Sequence, residues 1–144
     1  MFIEQLSIFL ENRPGKLKGI TDILKANGIN IISLSLSDTT DYGIARMIVS
    51  DSEKARKVLL EGGYTAVLTP VLVVEMRQEV GALSSLLDTL SAGGMNLEYM
   101  YALVTDVNGG AMVLKTSDQA ASYQTLKNEG MKLYTEEELK VFKK

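Results

Sequence analysis

Residues 15–30 read GKLKGITDILKANGIN, and residues 81–96 read GALSSLLDTLSAGGMN. The two stretches share seven identical residues at a constant separation of 66 positions, whereas average residue frequencies predict about one identity over this length. In the first stretch these are Gly15, Leu17, Asp22, Leu24, Ala26, Gly28 and Asn30. The same separation pairs Gly43 with Gly109, Ala45 with Ala111 and Ala55 with Ala121. The sequence therefore predicts two copies of one unit, a first domain over residues 1–69 and a second over residues 70–144.

Each copy is predicted to open with a strand and an amphipathic helix. Apolar residues alternate as in a half-buried strand at Leu6, Ile8 and Leu10, and again at Leu72, Val74 and Met76. A helix over residues 14–27 follows, because Pro14 suits the first helical position and apolar residues recur at helical spacing. Gly28 and Gly94 can adopt the left-handed backbone conformation that ends a helix.

The second half of each copy predicts a hairpin, a helix and a closing strand. The hairpin turns lie at residues 38–43 and 106–109, the helices near residues 52–61 and 118–128, and the closing strands near residues 64–68 and 131–134. Residues 135–138, Thr-Glu-Glu-Glu, form a capping box for a short C-terminal helix. The predicted fold class is α+β, with two tandem ferredoxin-like βαββαβ units packed together and a short C-terminal helix.

One sheet face of the second copy is expected to need a cover. The second strand of that copy carries Tyr99, Tyr101 and Leu103 where the first copy has three serines. We expect this face to be buried by the terminal helix, through Leu139 and Phe142, or by another subunit. The alternative is a solvent-exposed (wet) face with partly exposed tyrosines. A unit of about 70 residues buries only about 60% of the surface of its unfolded chain, whereas a body of about 150 residues buries about 68–70%, so the copies should pack together, and a homodimer is expected.

Composition excludes whole classes of chemistry. The chain of 144 residues has no His, Cys or Trp, which excludes Ser-His-Asp triads, thiolate nucleophiles and His or Cys metal sites. We therefore expect neither an enzyme nor a cofactor nor a bound metal. The 15 Lys and Arg against 18 Asp and Glu give a net charge of -3, so nucleic acid is not an expected partner.

The sequence also carries no sign of a membrane or an export route. The first residues, MFIEQ, include an early acid and lack a basic region before an apolar one. Apolar stretches such as residues 71–74 fall far short of the roughly 18 residues of a membrane span. We expect a cytoplasmic protein.

Two motifs resemble those of the ACT domain family of amino-acid-sensing regulatory modules. The first copy reads ENRPGKL at residues 11–17 and ANGINI at residues 26–31. The second copy reads RQEVGAL at residues 77–83 and AGGMNL at residues 92–97. The resemblance covers nearly the whole chain as a tandem pair. It implies a ferredoxin-like fold that binds a free amino acid where the loop before the first helix meets the second strand of a neighbouring unit.

Carried over residue by residue, the resemblance implies a set of candidate ligand-binding residues. In the first copy they are Asn12, Arg13, Pro14, Gly15, Leu17, Asn30 and Ile31. In the second copy they are Gln78, Gly81, Leu83, Asn96 and Leu97, where Gln78 replaces the first asparagine and Val80 replaces the proline. Glu98 is a further candidate, because it lies two residues beyond Asn96 on the same strand face. A helix N-terminus offers N–H groups to a carboxylate, and an asparagine amide can both donate and accept. Glu98 could take an ammonium group.

Structural readings of the same residues stay open. Asn30 and Asn96 could simply satisfy backbone groups at the turn between helix and strand, and Glu98 could be a solvated surface acid. Gly15 and Gly81 could be required by turn geometry alone. The lysines around the first helix form a solvated face, and Arg13 alone is a candidate for ligand attraction.

Three functions compete. The first is a stand-alone regulator that senses a free amino acid. The second is an assembly or regulatory subunit for an enzyme partner, with no ligand of its own. The third, a remote alternative, is an acylphosphatase-like enzyme that would use Arg13 for phosphate and Asn30 to position water; its loop lacks a glycine-rich phosphate cradle, and the second copy has Glu79 in place of the arginine.

Overall fold

The computed structural model describes residues 2–38, 41–77, 79–103 and 110–139. These residues divide into two compact units, one over Glu4–Pro70 and one that starts at Val71 and includes Ile3. The predicted hairpin at residues 106–109, part of the hairpin at residues 38–43, and the predicted contributions of Gln78 and Phe142 lie outside the described residues.

The first unit is a helix-covered antiparallel sheet. Its elements are β1 (Ile3–Glu11), α1 (Lys16–Ala26), β2 (Ile31–Asp38), β3 (Tyr42–Val49), α2 (Ser52–Glu61) and the first half of β4 (Thr65–Glu75). The strands lie in the order β2, β3, β1, β4, and β3 pairs antiparallel with both neighbours that flank it. Leu6 and Ile8 of β1 pack with Ile20 and Leu24 of α1 in a core that excludes water.

The second unit repeats this arrangement. It contains the second half of β4, then α3 (Ala82–Ala92), β5 (Leu97–Leu103), β6 (Ala111–Thr116), α4 (Gln119–Asn128) and α5 (Glu136–Leu139). β6 lies between β4 and β5 and is antiparallel to both. The closing strand predicted near residues 131–134 is reduced to a single bridge between Leu133 and Val74.

One strand serves the end of the first copy and the start of the second. The sequence predicts a strand near residues 64–68 and a separate one through Leu72 and Val74, but β4 runs without a break over both. Pro70, which lacks a backbone N–H, lies inside it. The boundary between the copies therefore falls within an element, and no loop marks it.

The first helix of the first copy begins later than predicted. Pro14 is not the first helical residue, because residues 13–16 form a type II turn in which the Lys16 N–H donates to the Arg13 carbonyl at 3.3 Å. Pro14 takes the second position of that turn. Gly15 takes the third, with φ 86° and ψ -9°, and α1 starts at Lys16.

Each of the four longer helices is followed by a glycine in the left-handed conformation, as predicted for Gly28 and Gly94. After α1, Gly28 has φ 68°, and the N–H of Ile29 donates to the carbonyl of Leu24 at 2.9 Å. This is the Schellman arrangement, and Gly63, Gly94 and Gly130 repeat it after α2, α3 and α4. At the other end, the carboxylates of Asp51 and Asp118 accept from backbone N–H groups and cap α2 and α4.

The separation between the copies changes from 66 to 67 residues at the hairpin. Ser37 lies opposite Ile44, whereas its equivalent Leu103 lies opposite Ala111. The second hairpin is therefore one residue longer. The extra residue shifts every later equivalence by one, so the predicted pairing of Gly43 with Gly109, Ala45 with Ala111 and Ala55 with Ala121 is wrong by one residue. An insertion in a hairpin is tolerated because it leaves the flanking helices intact.

The aromatic face of β5 is covered. Tyr101 is 9% exposed and Leu103 is 1% exposed, so the alternative of a wet face is wrong for these two residues. Leu139 of α5 is also fully buried, and Tyr99 is half-buried.

Candidate ligand-binding site

The helix starts that follow the glycine turns have no side-chain cap. Gly15 precedes α1 and Gly81 precedes α3, both in the left-handed conformation, and neither can offer a side-chain acceptor. The second turn repeats the first, because the Ala82 N–H donates to the Glu79 carbonyl at 3.3 Å. Within the described ranges, the backbone N–H groups of Leu17 and Leu83 therefore have no partner. Their partial positive charge suits an anion.

Asn30 and Asn96 are held by their backbones and leave their side chains free. The N–H of Asn30 donates to Ser50 Oγ at 2.9 Å, and the N–H of Ser50 donates back to the Asn30 carbonyl at 2.9 Å. Ser117 holds Asn96 in the same way. Both asparagines are exposed, and no described residue hydrogen-bonds to either side-chain amide.

A single unit does not bring the two halves of the predicted site together. Asn12 and Gly15 precede α1, whereas Asn30 follows it, and an eleven-residue helix is about 16 Å long. In the second unit Gly81 and Asn96 lie in the same relation. The predicted residues can meet only if a second unit supplies one half.

The two charged candidate residues, Arg13 and Glu98, each have an ion-pair partner within their own unit. Arg13 Nε lies 2.8 Å from Glu11 Oε2, and both side chains are well exposed. The second unit has the opposite charges at these positions, Arg77 and Glu79. Glu98 lies at the bulge between Leu97 and Tyr99, and its carboxylate accepts from Lys115 Nζ at 3.0 Å. An ammonium ligand at Glu98 would compete with that lysine.

Two equivalent clefts lie beside the helix starts. Each is bounded by the end of the unit's first strand, the start of its first helix and the turn after its second helix. The first has a volume of about 370 Å³ and is lined by Phe9, Leu10, Glu11, Lys16, Tyr42, Gly62, Gly63, Tyr64 and Thr65. The second has a volume of about 360 Å³ and is lined by residues 75–77, 79–82, 85–86 and 130–132. Of the predicted residues that the structure describes, Gly81 alone lines either cleft.

Tyr64 shapes the first cleft in a way that the motifs do not predict. A methyl group at Gly19 of α1 would collide with the Tyr64 hydroxyl, so the glycine makes room for the phenol. The second unit has Ser85 and Met131 at the equivalent positions, and both line its cleft. Gly19 in a helix interior, where glycine is unfavourable, is the sequence signal that could have revealed this contact.

Asn30 and Ile31 line a third, wide-open depression at the other end of α1. Its volume is about 550 Å³, and it is lined by Lys18, Thr21, Asp22, Leu24, Lys25, Gly28, Ile29, Asn30 and Ile31. Lys18 is paired with Asp22. Lys25, in the last turn of the helix, has no ion-pair partner in the part of the chain that the structure describes.

Among the described residues, two side chains next to the second cleft, Tyr134 and Glu138, have shifted pKa values. Burial, and next the carboxylate of Glu75, raise the pKa of Tyr134 above its usual value. A hydrogen bond from Lys132 holds the pKa of Glu138 below its usual value. Glu75, which contacts Tyr134, and Lys132, which donates to Glu138, both line the cleft. Two charged side chains of the cleft are therefore held in place by residues outside it.

Neither a metal cluster nor a membrane span is found in the described ranges. Their Asp and Glu side chains form no group of three or more that could hold a metal ion. No helix there combines the length and the apolar character that a bilayer crossing requires.

A family model described as an ACT domain pair matches residues 1–142. The chain belongs to this family. The predicted resemblance is thereby confirmed, and so is the predicted α+β fold of two tandem ferredoxin-like βαββαβ units. No curated protein matches the chain.

Solved structures share the architecture of this ACT domain pair. Protein BT0572 from Bacteroides thetaiotaomicron is 35% identical, with 97% of this chain and 96% of that chain covered, and a TM-score of 0.91. The regulatory subunit of aspartate kinase from Thermus thermophilus, in a ligand-free form, is 13% identical, with 88% and 93% covered and a TM-score of 0.62. The corresponding subunit from Thermus flavus is 15% identical, with 88% and 92% covered and a TM-score of 0.54. The two aspartate kinase subunits show a common fold only.

Proposed function

We propose that this ACT domain pair binds a free α-amino acid and acts as a non-catalytic regulatory sensor of amino-acid metabolism in the cytoplasm. Its two domains would span residues 1–69 and 70–144. Membership of the family supports a regulatory role. The absence of His and Cys supports a role in which no bond is broken. The acidic balance disfavours nucleic acid as a partner.

The observation that carries the proposal is the uncapped helix start behind a glycine turn, present in both units. A carboxylate that reaches the N–H groups at the start of α1 replaces solvent with fixed donors and meets no acidic side chain in the first turn, which carries Lys16 and Lys18 instead. Gly15 has open space around it, so a ligand can approach the backbone closely.

Asn12 and Asn30 would complete the site from two different units. The amide of Asn30 has no partner among the described residues, and it could accept from an ammonium group or donate to a carboxylate. Because Asn30 lies about one helix length from Gly15 of its own unit, the loop that it faces must come from elsewhere. A ligand that bridges two units favours the arrangement in which they meet, which is the basis of regulation.

A thermal-shift screen of the twenty amino acids tests the proposal. We expect one of them to bind in the micromolar to millimolar range, about -8 to -4 kcal/mol, because so small a ligand makes few contacts. At 100 times its dissociation constant it should add about 2.7 kcal/mol of stability. A flat screen at several millimolar would contradict the proposed sensor.

A substitution of Asn30 tests the site separately. Asn30→Ala should weaken binding by about 1–3 kcal/mol, measured by calorimetric titration. Asn128→Ala, at the exposed end of α4, is the matched control and should leave affinity unchanged. Equal affinity in both variants would keep the function and discard this site.

An enzyme partner is a second candidate, and one surface favours it. Val80, Leu83 and Leu87 lie at helical spacing around the start of α3 and are 107%, 44% and 37% exposed. The corresponding face of α1 is flanked by Lys16, Lys18 and Lys25, which α3 lacks. Regulatory subunits of aspartate kinase share the fold, which makes an enzyme of amino-acid synthesis a candidate partner. Co-purification of an enzyme with the wild-type chain, lost in Leu83→Lys, would support this candidate.

The acylphosphatase-like alternative has no geometric basis within a single unit. Arg13 and Asn30 lie at opposite ends of α1, and Arg13 is paired with Glu11. One unit therefore cannot hold a phosphate with the arginine while the asparagine positions the attacking water.

A further inference from the structure

Aromatic side chains line the cleft of the first unit. Phe9, Tyr42 and Tyr64 all border it, so three of the nine aromatic residues of the chain meet at this one place. Leu10 adds a further apolar wall. The volume of about 370 Å³ lies within the range of about 300–1,000 Å³ that small-molecule sites occupy. The size and the lining of this cleft therefore suit a small ligand that carries an aromatic ring.

Two of these aromatic residues lie outside the hydrophobic core. Phe9 is 47% exposed and Tyr42 is 64% exposed, and neither belongs to the core cluster beneath α1 and α2. They share one face of the sheet, because Tyr42 lies opposite the residue two positions beyond Phe9 on β1. Packing within the folded unit therefore does not account for the two rings.

The second unit shows that the fold does not require aromatic residues at this place. Its equivalent cleft has nearly the same volume, about 360 Å³, and no described residue that lines it is aromatic. Glu75 stands at the position of Phe9, and Met131 stands at that of Tyr64. Since the same backbone forms the same cleft without the rings, the rings of the first unit serve something other than its architecture.

The unpaired charge of the first cleft is positive. Lys16, the first residue of α1, is half-buried and has no ion-pair partner in the described part of the chain. Glu11 is the other charged residue of the lining, and Arg13 Nε lies 2.8 Å from its carboxylate. The start of α1 adds the partial positive charge of a helix N-terminus. A carboxylate on the ligand would neutralise Lys16, whereas an ammonium group would be repelled by it.

This cleft is separate from the amino-acid site proposed above. It lies wholly within the first unit, and its lining includes neither Gly15 nor Asn30. A ligand in it needs no ammonium group and no second unit.

We propose that the cleft of the first unit binds a small aromatic carboxylate, with the ring among Phe9, Tyr42 and Tyr64 and the carboxylate at Lys16. The cleft of the second unit does not bind this ligand, because it has no aromatic wall and has Ala82 in place of Lys16.

Indole-3-propionate is a suitable probe, because the chain has no Trp and an indole can be excited where tyrosine does not absorb. When the chain is titrated into a dilute probe, fluorescence anisotropy should saturate with a dissociation constant of about 0.1–1 mM. Tryptamine carries the same ring on an ammonium and should bind at least about fivefold more weakly. Equal or tighter binding of tryptamine, or no saturation with the propionate at several millimolar chain, would overturn the proposal.

The two exposed rings can be removed without a change in the core. Phe9→Ala and Tyr42→Ala should each weaken binding of indole-3-propionate about three- to tenfold. Leu87→Ala, at an exposed leucine of α3, is the matched control and should leave the affinity unchanged. The proposal is wrong if both ring variants bind like the control.

Substitution of Lys16 tests the charge. Lys16→Gln should weaken indole-3-propionate and strengthen tryptamine, so that the two probes bind with similar affinity. Lys18→Gln is the matched control: Lys18 is paired with Asp22, and its loss should leave the preference for the propionate intact. A preference that survives in Lys16→Gln would contradict the proposal.

One further variant separates this site from the proposed sensor. Asn30→Ala should bind indole-3-propionate like the wild-type chain, because Asn30 lies at the far end of α1. Probe binding together with a flat amino-acid screen would keep this site and reject the sensor. An amino acid that binds while the probe does not would reject this site alone.

Discussion

At the scale of single residues, two buried hydroxyl groups distinguish the core of the second unit from that of the first. Thr116 Oγ1 and Ser122 Oγ lie 2.6 Å apart, and both residues are fully buried. At the equivalent positions the first unit has Val49 and Ala55. Thr116 Oγ1 also donates to Gln119 Oε1 at 3.1 Å, so Ser122 Oγ is the hydroxyl that depends on the pair, and a buried hydroxyl without a partner is costly.

Removal of one hydroxyl should therefore cost more than removal of both. We expect Thr116→Val to destabilise the chain by about 1–3 kcal/mol, because Ser122 Oγ loses its partner. The double variant Thr116→Val/Ser122→Ala copies the first unit and should recover most of that loss. Urea unfolding of the two variants and of Ser122→Ala completes a double-mutant cycle, and additive costs would contradict the coupling.

Gly19 and Tyr64 form a second coupled pair. A methyl group at Gly19 would meet the Tyr64 hydroxyl, but the next nearest atom, the ring carbon Cζ, is at an ordinary 3.6 Å. Alanine in place of a helical glycine is normally worth about 0.5–1 kcal/mol. We expect Gly19→Ala to show that gain in a Tyr64→Phe background and a smaller gain, or a loss, in the wild-type chain. Thermal unfolding checks this, and equal effects in the two backgrounds would contradict it.

At the scale of elements, the sequence predicts helix ends well and strand junctions poorly. Gly28 and Gly94 end helices because a left-handed residue is a local requirement, and Asp51 caps α2 for an equally local reason. The predicted start of α1 is wrong because Pro14 suits both a first helical position and the second position of a type II turn. The merger of two predicted strands into β4 depends on which strands lie beside it, and that is not a local property.

The short helix α5 provides a prediction of pH dependence. Its capping box is as predicted: the N–H of Glu138 donates to Thr135 Oγ1 at 3.2 Å, and the N–H of Thr135 donates to Glu138 Oε1 at 3.1 Å. The Glu138 carboxylate also accepts from Lys132, and this bond is the main cause of its lowered pKa. A carboxyl whose pKa is lower in the folded state stabilises that state above the unfolded pKa. This contribution is lost as the pH falls through the folded value.

We therefore expect Glu138→Gln to lower the urea midpoint at about pH 7 and to have little effect at about pH 3. Glutamine can still accept from the Thr135 N–H, so this variant tests the charge rather than the cap. Thr135→Ala removes the cap hydroxyl and should destabilise at both pH values. A Glu138→Gln effect that is independent of pH would show that the charge does not contribute.

At the scale of the whole molecule, the two copies of one motif have become unequal. The offset of 66 residues reveals the duplication but not what each copy does, because Gly15 and Asn30 lie at opposite ends of α1 and the motif does not say what each of them faces. The motif predicts Asn30 and Asn96 alike as candidates, yet the strands that follow them differ: β2 leaves Leu34 and Leu36 exposed, whereas β5 buries Tyr101 and Leu103. Gln78 and Val80 further separate the second copy from the first.

The proposed site predicts that ligand binding and dimer formation are linked. If Asn30 of one chain and the Asn12 loop of another share a ligand, the ligand must bind the dimer more tightly than the monomer, and it must strengthen the dimer by the same factor. Couplings of this kind are typically about 5–150-fold. We expect the affinity of the dilute, monomeric chain to be weaker by a factor in that range.

The test is calorimetric titration of the amino acid found by the screen, at chain concentrations above and below the dimer dissociation constant that sedimentation equilibrium gives. The wild-type chain should bind more tightly at the higher concentration, because the dimer alone would set Asn30 beside the loop of another chain. Asn30→Ala should lose this dependence on concentration. If the dilute wild-type chain binds with full affinity, each ligand is held within a single chain.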